Sequence, residues 1–237
     1  MTTIEDNLHR LRARLQQACI AAGRSINEVT LLAVSKTFGA DAVCLAHAAG
    51  QQAFGENYVQ EGVEKIEQVR AAGTCPGIVW HCIGPLQSNK TRPVAEQFDW
   101  VQSVDRYKIA QRLNDQRPAH LPPLQVCIQV NVDGGANKSG VAPDEALELA
   151  KAVAALPRLR LRGLMAIPEP APDFESQRAL FLRAKAVFDG LRAEGLDVDT
   201  LSMGMSDDLE AAVAGGSTMV RVGRAVFGYR ERKVASA

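Results

Sequence analysis

Apolar residues recur along the chain in two alternating patterns, one typical of helices and one typical of buried strands. At the start, Ile4, Leu8, Leu11, Leu15 and Ala18 follow helical spacing, and a glycine at position 23 marks the expected end of that helix. We then place eight strands at 31–36, 52–57, 77–84, 100–104, 124–132, 160–167, 200–205 and 219–228. Several of these are continuous apolar runs, as expected of parallel strands that are covered on both faces.

Helix-like segments lie between the strands. The clearest runs from Asp173 to Glu194 and ends at Gly195, and another spans positions 143–156 with acidic residues in its first turn. Eight such β/α units in about 250 residues predict an α/β fold, a (β/α)8 TIM barrel with an extra N-terminal helix. We expect residues 1–237 to form one domain. An open doubly wound sheet is the alternative, but LLAVSKTFGAD lacks the glycine-rich turn that it would need.

Charge and composition argue against two classes of function, nucleic-acid binding and membrane association. Lys plus Arg and Asp plus Glu both number 27, so no net field favours nucleic acid or an anionic membrane. No apolar run is long enough to cross a bilayer, and the charged, amphipathic N-terminus is unlike a signal peptide. We therefore expect a cytoplasmic protein that binds neither nucleic acid nor membrane.

The cysteines predict neither a metal site nor a disulfide framework. Their number, five, is odd, and none of them is spaced as CxxC. Reduced thiols are the expectation, in keeping with a cytoplasmic location.

Lys36 ends the first predicted strand, where barrels carry their functional groups. A lysine there can extend from the rim into water. Alternatively, partial burial lowers its pKa, so that the neutral amine attacks a carbonyl and forms a Schiff base.

The last predicted strand, MVRVGRAVFG, contains a buried arginine. Strand alternation puts Arg221, Gly223 and Ala225 on one face, with Arg224 on the other. An arginine in an apolar strand needs a partner, which an acidic residue on a neighbouring strand or a bound ligand could supply. Gly223 would let the backbone approach such a ligand closely.

Other polar groups fall at the same ends of the predicted strands. Ser206 is the expected N-cap of a helix with an acidic first turn, where a phosphate is an alternative occupant. Asn57 follows the second strand, His81 lies within the third, and Lys138 lies in a glycine-rich loop after the fifth. A lysine, an arginine and a phosphate-type loop together predict an aldehyde that bears a phosphate. Pyridoxal phosphate and the sugar-phosphate substrate of an aldolase both fit.

Five sequence words carry a resemblance to a known family. They are LLAVSKT, FGENYVQE, WHCIGPLQSNK, LRGLMAIP and LSMGMSDDLEAAVAGGSTMVRVG, and they span roughly residues 4–228. The sequence resembles the pyridoxal phosphate homeostasis protein family (YggS/PROSC type), whose fold is like the N-terminal barrel of alanine racemase.

The resemblance implies a role for each candidate residue. Lys36 would form the internal aldimine with pyridoxal 5'-phosphate (PLP), and Arg221 would face the pyridine nitrogen. Ser206, Gly223 and the amide of Arg224 would hold the phosphate, and Asn57 and His81 would line the cofactor. An arginine at that nitrogen keeps the ring unprotonated and makes it a weaker electron sink.

The sequence departs from the family pattern at two positions. Phe38 stands where a lysine is frequent, and Arg224 stands where threonine is usual, so a hydroxyl contact to the phosphate is lost while an amide contact survives. Lys138 matches the pattern and is a candidate for secondary, reversible aldehyde binding.

Three functions follow, in order of preference. The first is a PLP-binding protein that acts in vitamin B6 homeostasis without established turnover and makes transient contact with PLP-dependent apo-enzymes. The second is a PLP-dependent amino-acid racemase, which would need a second acid/base group. Of the three tyrosines, only Tyr58 lies near a predicted site loop. A class I aldolase is the third.

Since alanine racemases have a further β-domain that this chain has no room for, we expect a monomer.

Overall fold

Eight parallel strands close into a barrel in the computed structural model, which describes residues 3–134 and 139–228. The strands are β1 (Thr30–Val34), β2 (Ala53–Glu56), β3 (Val79–Cys82), β4 (Trp100–Val104), β5 (Leu124–Val130), β6 (Leu159–Ala166), β7 (Thr200–Ser202) and β8 (Met219–Val222). Each strand pairs in parallel with the next along the chain, and β8 pairs with β1. The predicted (β/α)8 barrel is therefore confirmed.

Nine α-helices accompany the strands within the described residues. They are α1 (Ile4–Ala21), α2 (Ala40–Ala48), α3 (Val59–Ala72), α4 (Thr91–Gln97), α5 (Tyr107–Gln116), α6 (Ala146–Ala154), α7 (Phe174–Ala193), α8 (Leu209–Ala214) and α9 (Arg224–Phe227). The apolar periodicity read from the sequence is borne out in α1, whose buried residues are Leu8, Leu11, Leu15, Ala18 and Cys19. Asp173 is the N-cap of α7, and its side chain accepts a hydrogen bond from the amide of Ser176.

The N-terminal helix completes the ring of helices around the barrel. Helix α9, which follows β8, has only four residues, too few to cover that part of the barrel wall. Helix α1 packs against α8, α9 and α2, and so occupies the position between the last helices and the first. The side-chain amide of Asn7 donates to the carbonyl of Val226 at 2.9 Å, which links α1 to α9. The predicted extra helix is therefore a member of the outer layer.

Side chains on the strands divide between an outer and an inner layer because neighbouring residues point to opposite faces. Ala33, Phe54 and Val101 belong to the large apolar core between the strands and the helices. A separate small cluster contains Leu32 and Val34 from β1, with Ile83 and Met219. Buried polar side chains also lie in the barrel interior: His81, Gln102, Ser202 and Arg221.

Several predicted boundaries were too long. Strand β1 ends at Val34, so Lys36 lies in a turn beyond the strand. Strand β8 ends at Val222 because the backbone of Gly223 leaves the extended conformation (ψ −68°) and begins a one-turn helix. The face alternation predicted for Gly223, Arg224 and Ala225 was therefore wrong. Helix α6 begins at Ala146, three residues after the predicted start.

The expectation of five reduced thiols was wrong at two positions. Cys44 on α2 and Cys75, between α3 and β3, form a disulfide with their Cα atoms 6.0 Å apart. The two residues are 31 positions apart in sequence, and only the packing of α2 beside α3 brings them together. Cys19, Cys82 and Cys127 are free and buried.

Two further properties concern the described residues as a whole. None of their helices has the length and apolar character that a membrane span requires. Their His, Cys, Asp and Glu side chains form no cluster suited to a metal ion.

Candidate functional site at the carboxyl ends of the strands

A cavity of about 890 Å³ opens at the carboxyl ends of β1, β2, β7 and β8. Six of the seven residues predicted from the sequence line it: Lys36, Asn57, Ser206, Arg221, Gly223 and Arg224. They come from both ends of the sequence, and closure of the barrel between β8 and β1 brings them together. Lys138 lies outside the described residues.

Lys36 is presented by a tight turn at the end of β1. The amide of Phe38 donates to the carbonyl of Ser35 at 3.1 Å, so Lys36 and Thr37 occupy the two central positions of a β-turn. Thr37 has a φ of 69°, the one positive value among the described residues other than glycine. A β-branched residue is costly in that conformation. The half-buried Lys36 is therefore held in a strained turn.

Arg221 lies at the floor of the cavity and is 4% exposed. Its Nη1 donates to Ser202 Oγ at 2.8 Å, and its Nη2 donates to the carbonyl of Ala166 at 2.9 Å. The described residues give it no ion pair, so of the two partners considered from the sequence, an acidic residue on a neighbouring strand is not found among them. Burial lowers the pKa of Arg221 to about 10, at which it still carries its charge at neutral pH.

A chain of hydrogen bonds runs from Arg221 into the barrel. Ser202 donates to Gln102 Oε1 at 2.6 Å, and Gln102 Nε2 lies 3.0 Å from His81 Nδ1. Because the amide nitrogen of Gln102 is a donor, His81 Nδ1 is the acceptor and the ring proton resides on Nε2. Neither Ser202 nor Gln102 was predicted, although each is a fully buried polar residue within a strand.

His81, which was expected to line the cofactor, is not among the described residues that line the cavity. It is 2% exposed and stacks on Trp100, with ring centroids 4.9 Å apart. Desolvation, with the nearby Arg162 charge as a second cause, lowers the pKa of His81 to about 3. The ring is therefore neutral, and hydrogen bonds among the described residues connect it to the cavity through Gln102, Ser202 and Arg221.

The rim of the cavity differs from the prediction at Ser206. Asp208 is the N-cap residue of α8, and its carboxylate accepts from the amide of Met205. Ser206 is half-buried two residues earlier, and its carbonyl accepts from Arg14 at 2.8 Å. The guanidinium of Arg224 forms an ion pair with Asp207, which neutralises one of the acidic groups near the cavity.

Comparison with known proteins identifies the family. Residues 4–231 match the family model described as alanine racemase, N-terminal domain. The pyridoxal phosphate homeostasis protein of Escherichia coli K12 is 55% identical over 231 residues, covering 98% of each chain. The protein of the same name from Pseudomonas aeruginosa PAO1 is 57% identical over 98% of this chain and 97% of its own. The chain belongs to the pyridoxal phosphate homeostasis protein family.

A solved structure of similar fold carries the cofactor. PipY of Synechococcus elongatus, determined with PLP bound, has 35% sequence identity and a TM-score of 0.81, covering 95% of this chain and all of that one. The fold and the family expected from the sequence words are thus confirmed.

The residues present suit the cofactor of this family. Asn57 Oδ1 is buried without a hydrogen-bond partner among the described residues, which leaves an acceptor available to a ligand donor. A Cβ at position 223 would lie 3.1 Å from the carbonyl of Val34, so glycine keeps the end of β8 close to β1. The cavity also has an apolar part that sequence reasoning did not assign to the site: Val34, Phe38, Ile83, Ile167 and Met205. Cationic groups beside an apolar wall are suited to a flat, phosphorylated ring.

Proposed function

We propose that this chain is a PLP-binding protein of vitamin B6 homeostasis that holds the cofactor as a Schiff base on Lys36. The observation that supports it best is that Lys36 and the buried Arg221 line one cavity together with the loop residues Ser206 and Gly223. PLP supplies an aldehyde that reacts with amines, and the chain supplies one lysine among the described lining residues.

Lys36 acts as the nucleophile. Its unprotonated amine adds to the aldehyde carbon, and loss of one water molecule leaves a carbon–nitrogen double bond to Nζ.

Arg221 orients the ring and sets its protonation. Ser202 and the carbonyl of Ala166 each accept one of its N–H groups, and the guanidinium has further donors at the cavity that Arg221 lines. A permanently charged donor at the pyridine nitrogen disfavours protonation there. The site therefore stabilises carbanions poorly, which suits storage better than transamination.

The phosphate lies against the loops after β7 and β8, at Ser206, Gly223 and the amide of Arg224. All three residues line the cavity, and a glycine at position 223 lets the backbone approach an anion. Asn57, on the β2 side, lines the ring.

Carriage without established turnover fits the cavity better than racemisation does. A racemase needs an acid/base group on each face of the ring, and the described lining offers Lys36 but no tyrosine, histidine or cysteine as a second one. Tyr58 is 57% exposed and is not part of the lining. We propose further that the chain is a cytoplasmic monomer that meets apo-enzymes transiently. A stable dimer in sedimentation at micromolar concentration would contradict the monomer.

The test is an absorption spectrum of purified protein with added PLP, followed by borohydride reduction and peptide mass mapping. We expect a Schiff-base band and a pyridoxyl group on Lys36, both lost in Lys36→Ala. Lys108→Ala, which changes an exposed lysine on α5, is the matched control and should keep both. Absence of a Schiff-base absorption band after free PLP has been removed would refute the proposal. Formation of D-alanine from L-alanine at a rate dependent on Lys36 would favour the racemase instead.

A further inference from the structure

A buried ionic cluster lies directly beneath the turn that presents Lys36. Lys65, on α3, is 3% exposed, and Glu56, at the end of β2, is 1% exposed. Lys65 Nζ lies 2.6 Å from Glu56 Oε1 and 3.1 Å from Glu61 Oε1. None of the three lines the cavity, so the binding chemistry proposed above makes no direct use of them.

The cluster holds the turn on both sides of Lys36. Before Lys36, the carbonyl of Ser35 accepts from Lys65 Nζ at 2.8 Å, and the hydroxyl of Ser35 donates to Glu56 Oε1 at 2.6 Å. After Lys36, the amide of Thr37 donates to Glu61 Oε1. The carbonyl that Lys65 holds is also the acceptor that closes the turn to Phe38.

Stability alone is a weak reason for this arrangement. Burying a lysine and a glutamate costs desolvation energy, and well-packed apolar side chains frequently do as well or better. Burial is the largest influence on Glu56 and raises the pKa of its carboxyl despite the adjacent Lys65. Thr37 adds conformational strain at the same place. Two costly features therefore coincide at the residues that flank Lys36.

We propose that Lys65, Glu56 and Glu61 are positioning residues for Lys36. They keep Ser35 and Thr37 in the turn that directs the lysine amine to the aldehyde of the bound cofactor. The proposal rests on the proposed function, since it requires that Lys36 form the Schiff base. In this proposal the cluster affects only the formation of the Schiff base by Lys36. Arg221 and the loops after β7 and β8 hold the ring and the phosphate whether or not the cluster is intact.

Two ligands separate these contributions. PLP has the aldehyde, and 4-deoxypyridoxine phosphate has a methyl group in its place, so it binds only through the ring and the phosphate. In Glu61→Ala, which removes the acceptor for the Thr37 amide, we expect the affinity for PLP to fall about tenfold or more. The affinity for 4-deoxypyridoxine phosphate should change by no more than about twofold, because this ligand has no aldehyde for Lys36 to reach. A twofold change in affinity corresponds to less free energy than one ordinary hydrogen bond contributes.

The chain offers matched controls. Glu64→Ala removes an exposed carboxylate one turn along α3 and should change neither affinity. Glu61→Gln keeps an acceptor for Thr37 and should retain most of the PLP affinity. Lys65→Met tests the buried lysine, and should it fail to fold, the Glu61 variants alone decide, since the Glu61 side chain is 32% exposed.

A rescue variant tests the geometry itself. Glycine adopts positive φ without steric cost, so Thr37→Gly in the Glu61→Ala background should recover part of the lost PLP affinity. A general disturbance of the fold would not be repaired by that change. Thermal unfolding of each apo-protein reports such a disturbance separately.

Three outcomes would contradict the proposal. Equal losses for both ligands would make the cluster a structural support of the whole cavity. Unchanged PLP affinity in both Glu61→Ala and Lys65→Met would remove any role. Loss in Glu61→Ala without recovery by Thr37→Gly would exclude control of the turn. Failure of the proposed function looks different, because wild-type protein would then form no Schiff base.

Discussion

Arg221 and Ser202 are joined across the β7–β8 pair by a 2.8 Å hydrogen bond from Nη1 to Oγ, shielded from water inside the barrel. Ser202 accepts from Arg221 and donates its own proton to Gln102 Oε1. Each group in the chain therefore donates to the next, from Arg221 to His81. The orientation of the Arg221 guanidinium thus depends on Ser202 and Gln102, which do not line the cavity.

The first prediction concerns Ser202→Ala. The change removes one of two acceptors from a buried guanidinium, and hydrogen bonds to charged groups contribute about 1.5–3 kcal/mol. We expect PLP affinity to fall about tenfold or more, measured by fluorescence titration. Thr91→Val removes another fully buried hydroxyl, on α4, and serves as the control that should leave PLP affinity unchanged. Equal effects of the two substitutions would contradict the role of Ser202.

The second prediction concerns acid stability and His81. The folded-state pKa of about 3 lies below the ordinary value of 6.5, so the unfolded chain binds an extra proton between these limits. The free energy of unfolding should therefore decrease as the pH falls from 6.5 towards 3, by about 1.4 kcal/mol per pH unit from this group. Urea unfolding of His81→Gln should show a smaller loss of stability between pH 7 and pH 4.

The exposed His120 provides the comparison for that measurement. His120→Gln changes an exposed histidine of the same chemistry and should leave the pH dependence of the wild-type protein unchanged. Identical pH profiles for His81→Gln and wild type would refute the prediction.

The third prediction contrasts two glycines. A Cβ at position 84 would lie 2.0 Å from the carbonyl oxygen of Asn57, so Gly84→Ala must displace the backbone beside the cavity. We expect a loss of about 3 kcal/mol in the free energy of unfolding, together with weaker PLP binding. Gly190 lies exposed within α7, where an added Cβ would have nothing within 4 Å, and Gly190→Ala should stabilise the protein by about 1 kcal/mol. Chemical denaturation of both variants provides the measurement.

The fourth prediction concerns the disulfide between α2 and the segment before β3. Alkylation of unfolded, unreduced protein should modify Cys19, Cys82 and Cys127, and prior reduction should add Cys44 and Cys75. A cross-link that closes a loop of this size contributes about 3 kcal/mol by restricting the unfolded chain. Cys44→Ala should therefore unfold at lower urea concentration than oxidised wild type. Alkylation of five thiols without reduction would show that the pair is open.

The fold could be predicted because eight apolar segments and the helices between them repeat along the whole chain. The predicted ends of β1 and β8 lay too far along the chain, because hydrophobicity does not show where the backbone turns. The run LLAVSK continues past Val34, yet the chain bends at Ser35 through contacts with Lys65 and Glu56 that lie far along the sequence. Similarly, Gly223 ends β8 through its backbone conformation although apolar residues follow.

The site was predicted as a set of strand-end residues, and six of them do meet in one cavity. The cavity lining does not include His81, and the sequence could not show this because alternation gives the face of a strand but not the depth along the barrel axis. Gln102, Ser202 and Lys65 act through partners on other elements, and no local pattern in the sequence joins such residues. The assignment of each residue to a part of the cofactor stays a prediction.

Closure of the barrel has a consequence for synthesis of the protein. Lys36 and Asn57 follow the first two strands of the barrel to leave the ribosome, whereas Ser206 follows β7 and Arg221 lies in β8. Contacts between such distant segments form late in folding, because a long loop must first be ordered. A nascent chain therefore has no complete place for the proposed cofactor until β8 pairs with β1. Free PLP can stabilise the finished barrel by mass action, but it cannot guide the early steps of its folding.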